Sequence, residues 1–277
     1  MSVLWSCPAC GQGALGPGNC PTCLKGRKYV KLRRMDQQGA VPMAMIAADR
    51  TPRLSVPGFP GIESVMNGGF VPGSVTVVYG GPGLGKSTLM LRLVDSMTRV
   101  LPQPALYCST EQTVEHVKLT GYRAGVDGSR MLVAYETHVE AIDRLLTRQR
   151  FAVIDSLSNL TRECPITVVT GQLVEMARLH GTALVLVLHE TKDGDYNAPR
   201  QVEHLVDCMV WLHDGAGDDM TPLLDWTVIG KYRFGPINRT AHLRLDERGV
   251  PYDSDAGRRL EYGQRDYGGG SHAPGNS

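Results

Sequence analysis

Apolar residues come in short unbroken runs along the middle of the chain, each followed by a stretch with helical spacing. Val75-Thr76-Val77-Val78-Tyr79, Phe151-Ala152-Val153-Ile154 and Ala183 to Leu188 are continuous rather than alternating. Strands read this way when both faces of their sheet are covered. The pattern predicts strands near 75–79, 105–109, 131–135, 151–155, 183–188, 208–213, 224–229 and 242–246. It predicts helices over about 86–100, 112–124, 138–149, 168–180 and 200–207. Strand and helix alternate from Ser55 to about Gly249, which points to an α/β domain with a central, mostly parallel twisted sheet.

The flanks differ in texture. Residues 1–34 hold four clustered cysteines and then a basic run, and residues 35–54 lack sustained periodicity and read as a linker. Residues 250–277 turn to Gly, Arg, Asp and Ser and are expected to form a disordered tail. In a chain of 277 residues this leaves one good-sized core with a small appendage.

Charge and cysteine usage narrow the class. Net charge is +1, so contact with nucleic acid must come from local patches rather than a generally basic surface. The start, Met1-Ser2-Val3-Leu4-Trp5, lacks the basic-then-apolar order of a signal peptide, and Ala183 to Leu188 is too short to span a bilayer. Seven cysteines, four of them grouped, fit a reducing cytoplasm and one metal site better than a disulfide framework. Cys108, Cys164 and Cys208 lie in or near apolar stretches and are expected to be packed thiols.

The most specific chemistry follows the first apolar run. Gly80, Gly81, Pro82, Gly83, Leu84, Gly85, Lys86 and Ser87 fit the phosphate-loop pattern G-x-x-x-x-G-K-[ST], and Thr88 continues into a helix. The glycines let backbone N–H groups close on a polyphosphate, and the helix N-terminus adds its positive dipole end. Lys86 is placed to reach the β- and γ-phosphates, and the Ser87 hydroxyl to ligate Mg²⁺. The chain is expected to bind a nucleoside triphosphate.

Cys7-Pro8-Ala9-Cys10 and Cys20-Pro21-Thr22-Cys23 form two C-x₂-C knuckles nine residues apart. Four thiolates so arranged complete a tetrahedral Zn²⁺ site, with glycines at 11, 13, 16 and 18 allowing the reversal between them. An iron–sulfur centre and free thiols are the alternatives. Lys25, Arg27, Lys28, Lys31, Arg33 and Arg34 follow with no acidic residue before Asp36, either as a nucleic-acid contact or as a solvated linker.

Three further positions bear on catalysis. The strand Phe151 to Asp155 ends in a carboxylate, the expected second support for Mg²⁺, and the next residue is Ser156 rather than Glu. Glu111 follows the strand Ala105 to Ser109, either orienting water onto the γ-phosphate or serving as an acidic residue favoured by a helix dipole. His189 ends the strand Ala183 to Leu188, as a γ-phosphate sensor or as an ordinary satisfied polar residue.

Together these motifs resemble the bacterial RadA/Sms DNA-repair ATPases, relatives of RecA, from Cys7 to about Gly249. The resemblance rests on the zinc knuckles, Gly68-Gly69-Phe70-Val71-Pro72-Gly73-Ser74, Tyr107-Cys108-Ser109-Thr110-Glu111 and Val153-Ile154-Asp155-Ser156. It extends through His189-Glu190-Thr191-Lys192-Asp193-Gly194 and Ala198 to Asp207, ending in Lys231-Tyr232-Arg233-Phe234-Gly235, similar to the family signature K-N-R-F-G. It implies a RecA-like core, a homo-hexameric ring, ATP hydrolysis, movement on single-stranded or branched DNA, and cooperation with a RecA-type recombinase. By position it implies that Lys86, Ser87 and Asp155 hold nucleotide and Mg²⁺, and that Glu111 activates water. The segment Lys192 to Pro199, followed by Arg200, looks like a DNA-facing loop, and Lys231 and Arg233 look like the signature's ATP- and DNA-linked cations.

Departures shape the expectations. Tyr232 replaces the signature Asn, as an exposed ring able to stack on a base, and Thr110-Glu111-Gln112 replaces Gly-Glu-Glu. About 30 residues follow Glu247, too few for the family's Lon-protease-like domain, so no protease activity is expected. Two rivals share the core: a ring ATPase of the replicative-helicase or clock-protein type, and an ATP-dependent DNA-binding adaptor that loads a recombinase and turns over slowly.

Metal analysis of the purified chain should give about one Zn²⁺ per chain, and Cys20→Ser should release it while the α/β core stays folded, because a small zinc module draws its folding energy from the metal. Zinc retained after two of the four cysteines are replaced overturns this ligand set.

Overall fold

The computed structural model describes residues 5–6, 13–14, 18–20, 33–34, 53–160, 164–189, 197–215, 223–246, 249 and 251–253. The chain divides into two compact units, Met1–Arg50 and Thr51–Ser277. In the first, β1 (Trp5–Ser6) pairs antiparallel with both β2 (Gly13–Ala14) and β3 (Arg33–Arg34). The last two cations of the basic run thus belong to a strand rather than to an extension beyond it. Cys20 is buried, whereas Cys7, Cys10 and Cys23 lie outside the described residues.

The second unit is built on a nine-stranded sheet. Its strands are β4 (Val75–Gly80), β5 (Ala105–Ser109), β6 (Met131–Tyr135), β7 (Phe151–Asp155), β8 (Ala183–His189), β9 (Cys208–Asp214), β10 (Leu223–Tyr232), β11 (Arg239–Leu245) and β12 (Pro251–Asp253). They lie in the order β12-β11-β10-β9-β4-β8-β7-β5-β6. Every pairing from β9 through β4 to β6 is parallel, and β9-β10, β10-β11 and β11-β12 are antiparallel. The α/β reading and all eight expected strands stand. The short β12 adds a ninth in residues expected to be disordered tail.

Burial explains the unbroken runs. β4, β5 and β7 are buried at every position, and β8 at all but its last. On one face lie α1 (Pro60–Val65), α2 (Lys86–Met97) and α3 (Val114–Arg123), whose Ile62, Leu89, Leu93 and Val117 join Val78, Tyr107 and Val153 in one core. On the other lie α4 (Val139–Leu146), α5 (Ile166–His180) and α6 (Asn197–Glu203), where Ile142, Leu173 and Val202 pack on Val77, Ile154 and Leu186. β11 is covered on one face only and alternates accordingly.

Local chemistry sets the element ends. Gly85 at φ 78° turns the chain into α2, a left-handed conformation that favours glycine. Beyond the other end of α2, the Arg130 guanidinium donates to the Thr98, Leu101 and Pro102 carbonyls at 2.7, 2.8 and 2.7 Å, tying down the segment that follows the helix. Residue 54, expected in a linker, is part of the fold: Leu54 is buried and exchanges two backbone hydrogen bonds with Phe70. Gly69, at φ 110°, makes that approach possible, because a Cβ there would lie 2.0 Å from the Leu54 carbonyl oxygen.

Phe151 is fully buried, its ring 5.1 Å from that of Phe70. Phe151→Ala should lower unfolding free energy by about 3–5 kcal/mol, read as a lower urea midpoint at unchanged slope.

Candidate nucleotide site

Strand β4 sits between β8 and β9, with Gly80 opposite His189 in register. Its C-terminal end delivers the phosphate loop to the sheet edge where β5, β7 and β8 also end. Gly80 itself must be small: a Cβ there would lie 2.2 Å from the Leu212 carbonyl oxygen of β9. Gly83 and Gly85 both have positive φ, 81° and 78°, which the loop's turns require. Lys86 is buried, and its Nζ donates to the Gly80 and Gly81 carbonyls at 2.7 and 2.6 Å, so the ammonium lies within the loop.

The sequence-derived residues of the parallel edge come together. Asp155 is buried at the end of β7, opposite Ser109 of β5. The Tyr107 hydroxyl donates to Asp155 Oδ2 at 2.6 Å. Burial, and next the Asp155 carboxylate, push the Tyr107 pKa well above its ordinary value, so the phenol remains a neutral donor. Hydroxyl and carboxylate oxygens at Ser87 and Asp155 are the hard donors that suit Mg²⁺.

Glu111, two residues beyond β5, faces the same edge. Its Oε1 accepts a hydrogen bond from Ser156 Oγ at 2.5 Å and lies 3.4 Å from His189 Nε2. Ser109 Oγ accepts from the backbone N–H groups of Glu111 and Gln112, at 3.2 and 2.8 Å, and so fixes where Glu111 leaves the strand. Thr110 bonds Ser156 in both directions: its Oγ1 donates to the Ser156 carbonyl at 2.7 Å and accepts from the Ser156 N–H at 3.1 Å. The peptide between Asp155 and Ser156 is cis.

Tyr107, Thr110 and Ser156 are the site residues that sequence reasoning missed. Their signal was weak. A tyrosine inside an apolar strand reads as core, and two hydroxyl residues at strand ends read as turn formers.

The signature cations lie elsewhere. β10 continues through Lys231 and Tyr232, past a register shift after Val228 and a left-handed Gly230 at φ 71°. Lys231 and Tyr232 therefore belong to the strand, and the signature leaves it only at Arg233. Tyr232 pairs with Cys208, at the end of the sheet where β4 begins. Six strand residues at about 3.3 Å each separate this end from the phosphate loop, roughly 20 Å along β4. Here Asp207 is buried, with its Oδ2 accepting from the Val75 N–H at 3.0 Å and its Oδ1 3.4 Å from Arg233 Nε and 3.8 Å from Arg178 Nη2. Lys231 Nζ donates to the Glu203 and His204 carbonyls, both at 2.8 Å, at the negative end of α6. Burial, and then the neighbouring Arg233, depress the Lys231 pKa.

Three expectations need correction or limits. Tyr232 is buried rather than exposed: its hydroxyl donates to the Met66 carbonyl at 2.5 Å and accepts from Arg53 Nη1 at 3.3 Å, so the ring cannot stack on a base. Cys164 is exposed rather than packed, whereas Cys108 and Cys208 are buried. Burial raises the Cys108 thiol to about 12 and the Cys208 thiol further still, so both stay protonated. Arg200 is exposed on α6, and Lys192 lies outside the described residues.

A phosphate loop on the inner strand of this parallel sheet, flanked by strand-end carboxylates, defines an α/β core of the RecA-like phosphate-loop type. Comparison with known proteins then gives the family. The DNA repair protein RadA of Listeria monocytogenes is 30% identical, over 88% of this chain and 57% of that protein. RadA of Brucella abortus is 31% identical over 90% of this chain and 59% of its own length, and RadA of Escherichia coli K12 is 31% identical over 74% and 45%. The chain belongs to the RadA family of bacterial DNA-repair proteins. It spans about half the length of the curated relatives it matches. No family model matches it. Among the described residues, no helix is long and apolar enough to cross a membrane.

Tyr232→Phe should lower stability by about 1 kcal/mol in chemical denaturation, through loss of the bonds to Met66 and Arg53, and leave affinity for single-stranded DNA unchanged.

Proposed function

We propose that this protein is a DNA-repair ATPase of the RadA type, hydrolysing ATP in the cytoplasm as a motor on single-stranded or branched DNA. The observation that carries the reading is the convergence of Lys86, Ser87, Asp155, Glu111 and His189 at one edge of the parallel sheet. Similarity to the RadA proteins supports the DNA substrate and the repair setting. Lys86 exchanges its bonds to Gly80 and Gly81 for the β- and γ-phosphates. Ser87 and Asp155 would hold the Mg²⁺ that accompanies the nucleotide, and the ion would supply neutralisation of phosphate charge there. Glu111 accepts the proton of the attacking water, and His189, 3.4 Å from it, reports the presence of the γ-phosphate. In the N-terminal unit, Cys7, Cys10, Cys20 and Cys23 hold a structural Zn²⁺, a thiolate set matched to that ion.

Lys231 and Arg233 lie too far from their own phosphate loop to act on it. We assign them to the nucleotide of a neighbouring subunit in a homo-hexameric ring, with Arg233, Arg200 and Lys192 also meeting DNA. A cation supplied across such an interface stabilises charge on the transferring phosphoryl group and is worth on the order of 10³-fold or more in rate. A RecA-type recombinase is the partner this motor would serve.

ATP turnover measured with and without single-stranded DNA tests the reading. Strong stimulation supports the motor, and DNA binding without stimulation supports the adaptor. Glu111→Gln should bind ATP nearly normally and hydrolyse it slowly, whereas Lys86→Ala should lose hydrolysis and weaken binding. Lys231→Ala should lose the DNA-stimulated rate, and mixed rings of Lys231→Ala with Lys86→Ala subunits should regain part of it. If mixed rings form and stay inactive, the role of Lys231 across the interface is wrong.

A further inference from the structure

Tyr107 is a buried phenol inside the nucleotide site with no part in the reaction just described. Its ring belongs to the core beneath α2, and its hydroxyl lies at the end of β7. It donates to Asp155 Oδ2 at 2.6 Å, and both residues are buried.

We propose that Tyr107 is a positioning residue for the divalent-cation site: its hydroxyl holds one oxygen of the strand-end Asp155 and so sets the direction of the other toward the ion. The inference rests on the nucleotide site proposed above. A protonated phenol donates one hydrogen bond, and here Asp155 Oδ2 accepts it. Donation by Tyr107 to Asp155 holds one carboxylate oxygen and so sets the direction of the other. The neutral hydroxyl adds no charge to the site. Without it, the Asp155 carboxylate is held only as loosely as its own rotamers allow, and ordering it again falls on the binding step.

Tyr107→Phe removes this oxygen and keeps the ring that packs in the core. Binding of a fluorescent, non-hydrolysable ATP analogue, titrated with Mg²⁺, separates the possible roles. The parental protein should bind the analogue more tightly as Mg²⁺ rises. Tyr107→Phe should need roughly fivefold to tenfold more Mg²⁺ to reach half of that gain, with its affinity in excess EDTA unchanged. Urea denaturation of both proteins reads the structural cost separately. An unchanged Mg²⁺ midpoint in Tyr107→Phe overturns the proposal while leaving the nucleotide site intact. Equal loss of affinity with and without Mg²⁺ also overturns it, as the mark of a merely structural hydroxyl. If parental binding ignores Mg²⁺ altogether, the nucleotide-site reading fails and this inference with it.

Discussion

The two-sided parallel pairing of β4, with β8 on one flank and β9 on the other, is the constraint on which the rest of the structure depends. Parallel neighbours bring all their C-terminal ends to one edge, so the loop after β4 necessarily meets the ends of β7 and β8 and the segment after β5. The approach of β9 at Gly80 is so close that no side chain fits there. The same pairing fixes the far end. Because β9 begins with Cys208 beside Thr76, the preceding Asp207 reaches Val75 at the start of β4 and pairs with Arg233. Edge and base of the sheet thus hold the two groups of candidate residues apart.

The parts of the fold legible in sequence were those written in continuous apolar runs. Strands β4, β5, β7 and β8 are buried on both faces, and so their residues announce them without any need of tertiary information. The phosphate loop was legible because its glycines, lysine and serine are contiguous. Leu54 and β12 were not. Each is held by pairing with residues distant in sequence, Phe70 for the first and Leu243 to Leu245 for the second, and a few residues have no periodicity to read. Glu111 and His189 could be nominated as strand-end polar residues. Their 3.4 Å approach could not, since it depends on strand order.

Tyr232 and Tyr107 teach the complementary lesson about aromatic residues near charge. At position 232 the neighbouring Lys231 and Arg233 suggested exposure, yet the ring is buried and its hydroxyl closes on the Met66 carbonyl. At position 107 the surrounding apolar strand suggested plain core, yet the hydroxyl ends at the one buried carboxylate of the site edge that β7 supplies. In both cases the ring follows the local pattern of the sheet face, whereas the hydroxyl goes to an acceptor left open by a distant element. An amphipathic side chain obeys two neighbourhoods at once, and only one of them is visible along the chain.

Asp207 carries a consequence for heredity rather than for chemistry. A single carboxylate serves as an anchor for the strand that carries the phosphate loop and as counter-charge to Arg178 and Arg233. A substitution there unsettles two functions with one lesion, so its phenotype in a cell would mimic a double mutant. Second-site suppressors would divide into two groups, one restoring the grip on β4 and the other rebalancing the arginines. A replacement must satisfy both duties in the same step, and no other side chain of that length brings two acceptor oxygens and a negative charge.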